Sequence, residues 1–114
     1  MKINSFNQGV MVVNKKKYKR DLIVFPDKII PVWIRKKPHD VKKKDIQEIL
    51  DFKPDFLVIG NGKAGAMKVS NSTKELCKKL NIKLIIKKTP KALTSFNKII
   101  KKGEKAVGAF HLTC

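Results

Sequence analysis

The chain has 114 residues, 27 lysines and arginines against nine acids, a formal charge of +18 and 42% hydrophobic residues. That length suits one domain, residues 1–114, and no apolar run nears the roughly 20 residues that span a bilayer, so membrane insertion is not expected. Two cysteines are too few for a disulfide framework, and the first residues lack a leader-like apolar stretch, so the expected address is cytoplasmic, or the mitochondrial matrix if the source is eukaryotic.

Residues 1–35 read as a β-meander. Val10–Val13 and Leu22–Phe25 have strand character and flank the polar segment NKKKYKR, whose Asn14 tolerates the left-handed conformation of a tight hairpin. DKIIPVWIR continues in extended form, and Pro26 and Pro31, which cannot donate to a ladder, place it at a sheet edge or bulge. After Pro38 the period changes. Asp40 is a candidate cap for a helix carrying Ile46, Ile49 and Leu50 on one face, ended by Pro54. DFLVIG is a continuous apolar run of the kind found in a central strand buried on both faces. Ser72 and Glu75 then form a capping-box signature for a helix with Thr73, Leu76, Cys77 and Leu80 inward and Asn81 as its stop. IKLIIK is a further strand. TPKALTSFNKIIKKG opens with Thr89 as cap and Pro90 in the first turn and closes at Gly103, and KAVGAFHL is the last strand. Residues 40–114 thus run α-β-α-β-α-β, which predicts an α/β fold with a largely parallel central sheet, helices packed on it and a β-hairpin feeding it at the amino end.

A charge of +18 points first to nucleic acid. Only Arg20 and Arg35 are arginines, however, and lysine recurs along the whole chain, as a solvated surface would have it, while Phe25, Phe52, Phe56, Phe96 and Phe110 sit in apolar patterns that a core claims. Nucleic acid is therefore the third choice of partner.

Gly60, Gly62 and Gly65 follow an apolar strand with G-x-G-x-x-G spacing, but the expected helix starts too late and no ribose-binding acid follows about 20 residues on. No dinucleotide and no other cofactor is expected. The glycines serve left-handed backbone and close approach, and because ligand crevices of open α/β sheets lie at strand carboxyl ends, the loop is the natural wall of a cleft. Its amides, with Gly60, Gly62, Lys63, Gly65, Met67 and Arg35 as lining residues, form a candidate site for a small anionic ligand.

No metal site is expected, since His39, His111, Cys77 and Cys114 offer only His111-x-x-Cys114 as a close pair, at the chain end. Cys77 falls on an apolar helix face and reads as core, and no catalytic residue is assigned. The one tryptophan, Trp33, lies two residues from Arg35 on the same face of an extended segment, with His39 just beyond. Trp33, Arg35 and His39 make a candidate partner-binding cluster. The alternative has Trp33 covering the sheet and Arg35 paired with Asp27 or Asp40.

DLIVFPDKIIPVWIRKKPHD, FLVIGNGKAGAMKV and the terminal FHLTC together resemble the MTH-like domain family, known from the adipogenesis-associated domain protein and from a mitochondrial respiratory complex I assembly factor. The resemblance covers nearly the whole chain. It implies a three-layer fold with a central mixed sheet and a β-hairpin extension, and a non-catalytic protein-interaction or assembly role, with a protein as partner. The chain departs from the family pattern at Ile34, where a second aromatic is frequent, and at Pro38, where glycine is, so a cleft beside Trp33 would differ in shape.

Overall fold

The computed structural model describes residues 1–113. Strands β1 (Ile3–Asn7), β2 (Val10–Val13) and β3 (Lys16–Tyr18) form a small antiparallel sheet. Two tight turns join them, with both central residues left-handed in each: Gln8 and Gly9 at φ 51° and 74°, Asn14 and Lys15 at φ 49° and 68°. Such turns match the strand twist. Asn14 thus takes its expected conformation, but the hairpin it closes is β2–β3 within NKKKYKR, and the partner of β2 is not the Leu22 strand. The meander is a separate sheet, and the chain leaves it at Tyr18.

The central sheet has the order β5-β4-β10-β7-β9, from β4 (Leu22–Val24), β5 (Ile29–Ile30), β7 (Phe56–Asn61), β9 (Lys83–Lys87) and β10 (Ala106–His111). β10 and β9 flank β7 in parallel, and β4 and β5 join antiparallel. The short β5, between Pro26 and Pro31, lies at the edge, where a missing N–H is tolerated. A two-stranded parallel sheet, β6 (Asp40–Val41) with β8 (Lys68–Val69), ties the segment after Pro38 to the glycine loop.

Alternation along the buried strands splits the core in two. Ile23, Leu57, Ile59, Val107 and Ala109 face one side, with Trp33, Val41, Met67 and the helices α1 (Gln47–Phe52) and α2 (Asn71–Lys79). Leu22, Val24, Val58, Ala106 and Phe110 face the other, with α3 (Thr89–Lys101) and the β1–β3 sheet. The apolar runs DFLVIG and KAVGAF are apolar throughout because both faces are covered.

Three helix starts differ from the sequence expectation. Asp40 lies in β6 and caps nothing; a 3-10 turn at Lys43–Ile46 leads into α1, with the Asp45 carboxylate accepting from the backbone N–H groups of Lys42 (2.8 Å) and Lys36 (3.2 Å). For α2 the cap is Ser70, whose Oγ accepts from Thr73 N–H at 3.2 Å, so Ser72 sits inside the helix. Lys88 occupies the N-cap position of α3 without a side-chain cap, and Thr89 is the first residue of the helix. Its hydroxyl is committed to partners outside the helix, Gly62 N–H and the His111 carbonyl, and is not free to cap.

Candidate functional site

The carboxyl ends of β7 and β10 meet the segment after β5 in a cluster built around Asp21, immediately before β4. Asp21 Oδ2 accepts from Arg35 Nη2 at 2.6 Å and from His111 Nδ1 at 2.7 Å, and Oδ1 accepts from Leu112 N–H at 2.8 Å. Burial pushes the Asp21 carboxyl up, but the hydrogen bonds from His111, Leu112 and Arg35 outweigh it and hold the group below its ordinary value. Asp21 is therefore ionised and acceptor-only, which places a proton on His111 Nδ1. The 3.4 Å approach of Arg35 Nη2 to that nitrogen joins two donors and is a packing contact.

Arg35 is 8% exposed and also donates to the carbonyls of Pro38 (3.0 Å) and Trp33 (3.3 Å), while its guanidinium stacks on the Trp33 ring at 4.3 Å. Trp33 is 5% exposed and donates Nε1–H to the Asp45 carbonyl at 2.9 Å. The two side chains share a side of the segment as expected, but that side faces inward. Trp33 covers the sheet, and the partner of Arg35 is Asp21 rather than Asp27 or Asp40. Neither is a surface anchor. The residue that faces out is Ile34, 79% exposed. His39 is exposed and sets its ring edge-on to His111, centroids 5.2 Å apart.

The glycine loop is closed on itself. Gly62 N–H donates to Thr89 Oγ1 (2.9 Å), Lys63 N–H to the Thr113 carbonyl (3.2 Å), Gly65 N–H to the Gly62 carbonyl (3.3 Å) and Met67 N–H to the Asn61 carbonyl (3.0 Å). These bonds take four of the loop donors that the glycine spacing offered to an anion. Gly62 and Gly65 have φ of 104° and 78°. Gly60 does not; it is glycine because a Cβ there would lie 2.8 Å from Thr89 Oγ1 and 2.9 Å from Phe110 Cδ1. Lys63 is exposed, and Met67 is buried in the core and lines no cleft. α2 begins only at Asn71, beyond β8, so no helix terminus stands over the glycines as a dinucleotide site requires.

Thr89 locks this region, since its hydroxyl also donates to the His111 carbonyl at 2.6 Å. Among the described residues two buried side-chain polar atoms find no partner: His111 Nε2 and Asn61 Oδ1. Asn61 and His111 are register partners in the parallel β7–β10 pair, so their side chains leave the sheet on one face. Asp21, Thr89, Asn61 and Ile34 were not singled out as site residues from the sequence. Alternation about Trp33 carried the signal for Ile34, whereas Asp21 and Thr89 depend on strand pairings remote in sequence.

Among the described residues no group of three His, Cys, Asp or Glu side chains is placed to hold a metal, and no helix is long and apolar enough to cross a membrane. The His111-x-x-Cys114 pairing lies outside the described residues. Cys77 is buried on α2, and burial pushes its thiol up, as befits a core residue.

A mixed five-stranded sheet covered on both sides, a separate amino-terminal meander and a salt-bridged cluster at the sheet's carboxyl end define a small three-layer α/β domain. Solved structures share that fold: a conserved hypothetical protein of Pyrococcus horikoshii OT3 (22% identity, TM-score 0.83, all of both chains), a protein of Bordetella parapertussis (16%, 0.83, 97% of this chain and 94% of that one) and a Mth938-like domain of Bordetella pertussis (13%, 0.78, 97% and 85%). The model of the family described as protein of unknown function (DUF498/DUF598) matches residues 3–111, and the chain belongs to that family. The MTH-like resemblance read from the three sequence motifs is thereby shown.

Proposed function

We propose that this protein is a non-catalytic interaction module that docks a partner protein on the face carrying Ile34. The observation behind this reading is the placement of a fully presented aliphatic side chain on a segment that cannot move freely, because Trp33 and Arg35 on either side are buried and hydrogen-bonded. A prearranged contact of this kind loses little conformational entropy on binding.

Ile34 stands between two hollows. One, of about 360 Å³, is rimmed by Lys19 and Arg20; the other, of about 450 Å³, is lined by Asp45, Glu48 and Asp51 together with Lys44, and Glu48 is paired with Lys28 at 2.9 Å. The complementary partner has an apolar pocket for Ile34, carboxylates toward Lys19 and Arg20, and a basic group toward Asp51, an arrangement that fixes orientation. An assembly role, in respiratory complex I biogenesis among others, is the form of this reading that the family resemblance supports. The anionic-ligand alternative has fewer donors to draw on, with the amides of Gly62, Lys63, Gly65 and Met67 already bonded, and the nucleic-acid alternative rests on lysine charge alone.

A photo-crosslinking residue at position 34, introduced in the native cell, tests the proposal. Capture of one partner through a segment of the stated charge pattern is expected, with Ile34→Asp abolishing co-purification at an unchanged thermal midpoint. Undiminished recovery with Ile34→Asp overturns it.

A further inference from the structure

At the opposite edge of the central sheet from β5, we propose that β9 receives an extended, acidic segment of a partner protein by strand addition. β9 pairs with β7 on one side and is the last strand of the sheet on the other. Lys83 N–H donates to the Asp55 carbonyl on the β7 side at 2.9 Å. In a parallel strand successive residues turn their backbone groups to opposite sides, so Leu84 and Ile86 present N–H and C=O to the open edge. Beside that edge, between α2 and β9, runs a groove of about 600 Å³. Its floor is Ile82, Leu84 and Ile86, and its rim carries Lys74 and Lys78, one turn apart on α2. Lys83 and Lys87 turn to the other face of β9 with Ile85, the Lys83 ammonium 5.2 Å from the Phe56 ring and the Lys87 ammonium 2.9 Å from Ser95 Oγ. No carboxylate lines it among the described residues.

Three features of the edge choose the occupant. Unpaired backbone groups call for a strand, the apolar floor calls for alternate apolar side chains, and Lys83 and Lys87 on the other face of β9 call for carboxylates between them. Lysines on an edge strand also oppose pairing with another copy of the same chain, and at a net charge of +18 a second copy is the least suitable occupant. The edge-strand lysines that oppose self-association are those that select an acidic strand. This surface is distinct from the Ile34 face.

The probe is a fluorescein-labelled peptide alternating valine and glutamate, about six residues long, the length of an ordinary strand. It is titrated into the full chain alongside a peptide of the same charge with two central prolines. We expect the alternating peptide to bind, the proline peptide to bind at least about tenfold more weakly, and the amides of Leu84 and Ile86 to gain protection from hydrogen exchange in the complex. The double variant Lys83→Glu, Lys87→Glu should lose about tenfold or more in affinity, whereas Lys98→Glu with Lys101→Glu on α3 and Ile34→Asp should change it little. Equal binding of the proline peptide, an equal loss on reversing the α3 lysines, or unprotected Leu84 and Ile86 amides would each overturn the proposal in favour of general lysine attraction. The exchange measurement uses the unaltered protein, so it decides the matter even if the double variant does not fold.

Discussion

Asp21 and His111, ninety residues apart, are joined by a 2.7 Å hydrogen bond that closes the β4–β10 pairing at its end. Phe110 faces Leu22 across that antiparallel pair, so Asp21 and His111 are the next step of the ladder, where side chains take over from backbone. The Asp21 carboxylate also neutralises the buried Arg35 and accepts from Leu112 N–H, so one side chain joins β4, the end of β10 and the Trp33 segment.

Asp21→Asn should therefore cost stability in a pH-dependent way. A carboxyl held below its ordinary value in the folded state stabilises fully above the unfolded value of about 3.9, and that contribution is lost as pH falls through the lower folded value. At neutral pH the variant leaves the Arg35 charge without its counter-ion, at a cost of about 2–4 kcal/mol. Urea unfolding at a series of pH values should show the gap between wild type and variant narrowing below pH of about 4. A gap that stays constant into acid would mean that the carboxylate contributes shape and not charge.

Gly60→Ala should destabilise by about 1–3 kcal/mol, because the added methyl meets Thr89 and Phe110, both held in the packed interior. Gly103→Ala is the control of a different kind. Its φ is +80° with open space around it, so only the left-handed conformation is penalised, at about 1 kcal/mol. Chemical denaturation of the two variants separates close approach from backbone conformation, and a Gly60→Ala protein as stable as wild type would show that the α3 start is free to shift.

Much of the fold was legible in local pattern. DFLVIG, IKLIIK and KAVGAFHL are strands, with α1 before the first and α2 and α3 between them, since runs buried on both faces and one-turn apolar spacing are short-range signals. What failed depended on partners remote in sequence. The parity of Trp33 and Arg35 was correct, but which side faces inward is set by Asp21, Asp45 and the sheet, so the outward residue was Ile34. The glycine spacing was legible too, while the bonding of its amides to Thr89 and Thr113 was not. Asp40 looked like a cap because caps and strand ends both favour a short acid before an apolar run, and the pairing with Lys68 that decides between them is long-range.

Trp33, as the single tryptophan, reports on its own burial. Held against the sheet with its N–H bonded to the Asp45 carbonyl, it should emit at short wavelength and resist acrylamide, with a red shift on unfolding. Trp33→Ala should lower stability by about 3–5 kcal/mol, a core effect, in contrast to the near-silent Ile34→Asp. Native emission as red and as quenchable as that of the unfolded chain would contradict the inward placement and restore Trp33 as a surface contact.

Thr89 is the last element of the loop lock, and its hydroxyl is used twice: it accepts from Gly62 N–H and donates to the His111 carbonyl. Thr89→Val keeps the volume but leaves a buried donor and a buried acceptor unpaired, which should cost about 2–4 kcal/mol. Thr89→Ser keeps both bonds and loses one methyl, at about 1 kcal/mol. The two variants differ in a second observable as well. In Thr89→Val the Gly62 amide should exchange with solvent faster than its strand neighbours, since its only acceptor is gone, while in Thr89→Ser it should stay protected. Equal stability and equal Gly62 protection in both variants would show that the side chain acts by packing alone and that the glycine loop is held by its remaining bonds.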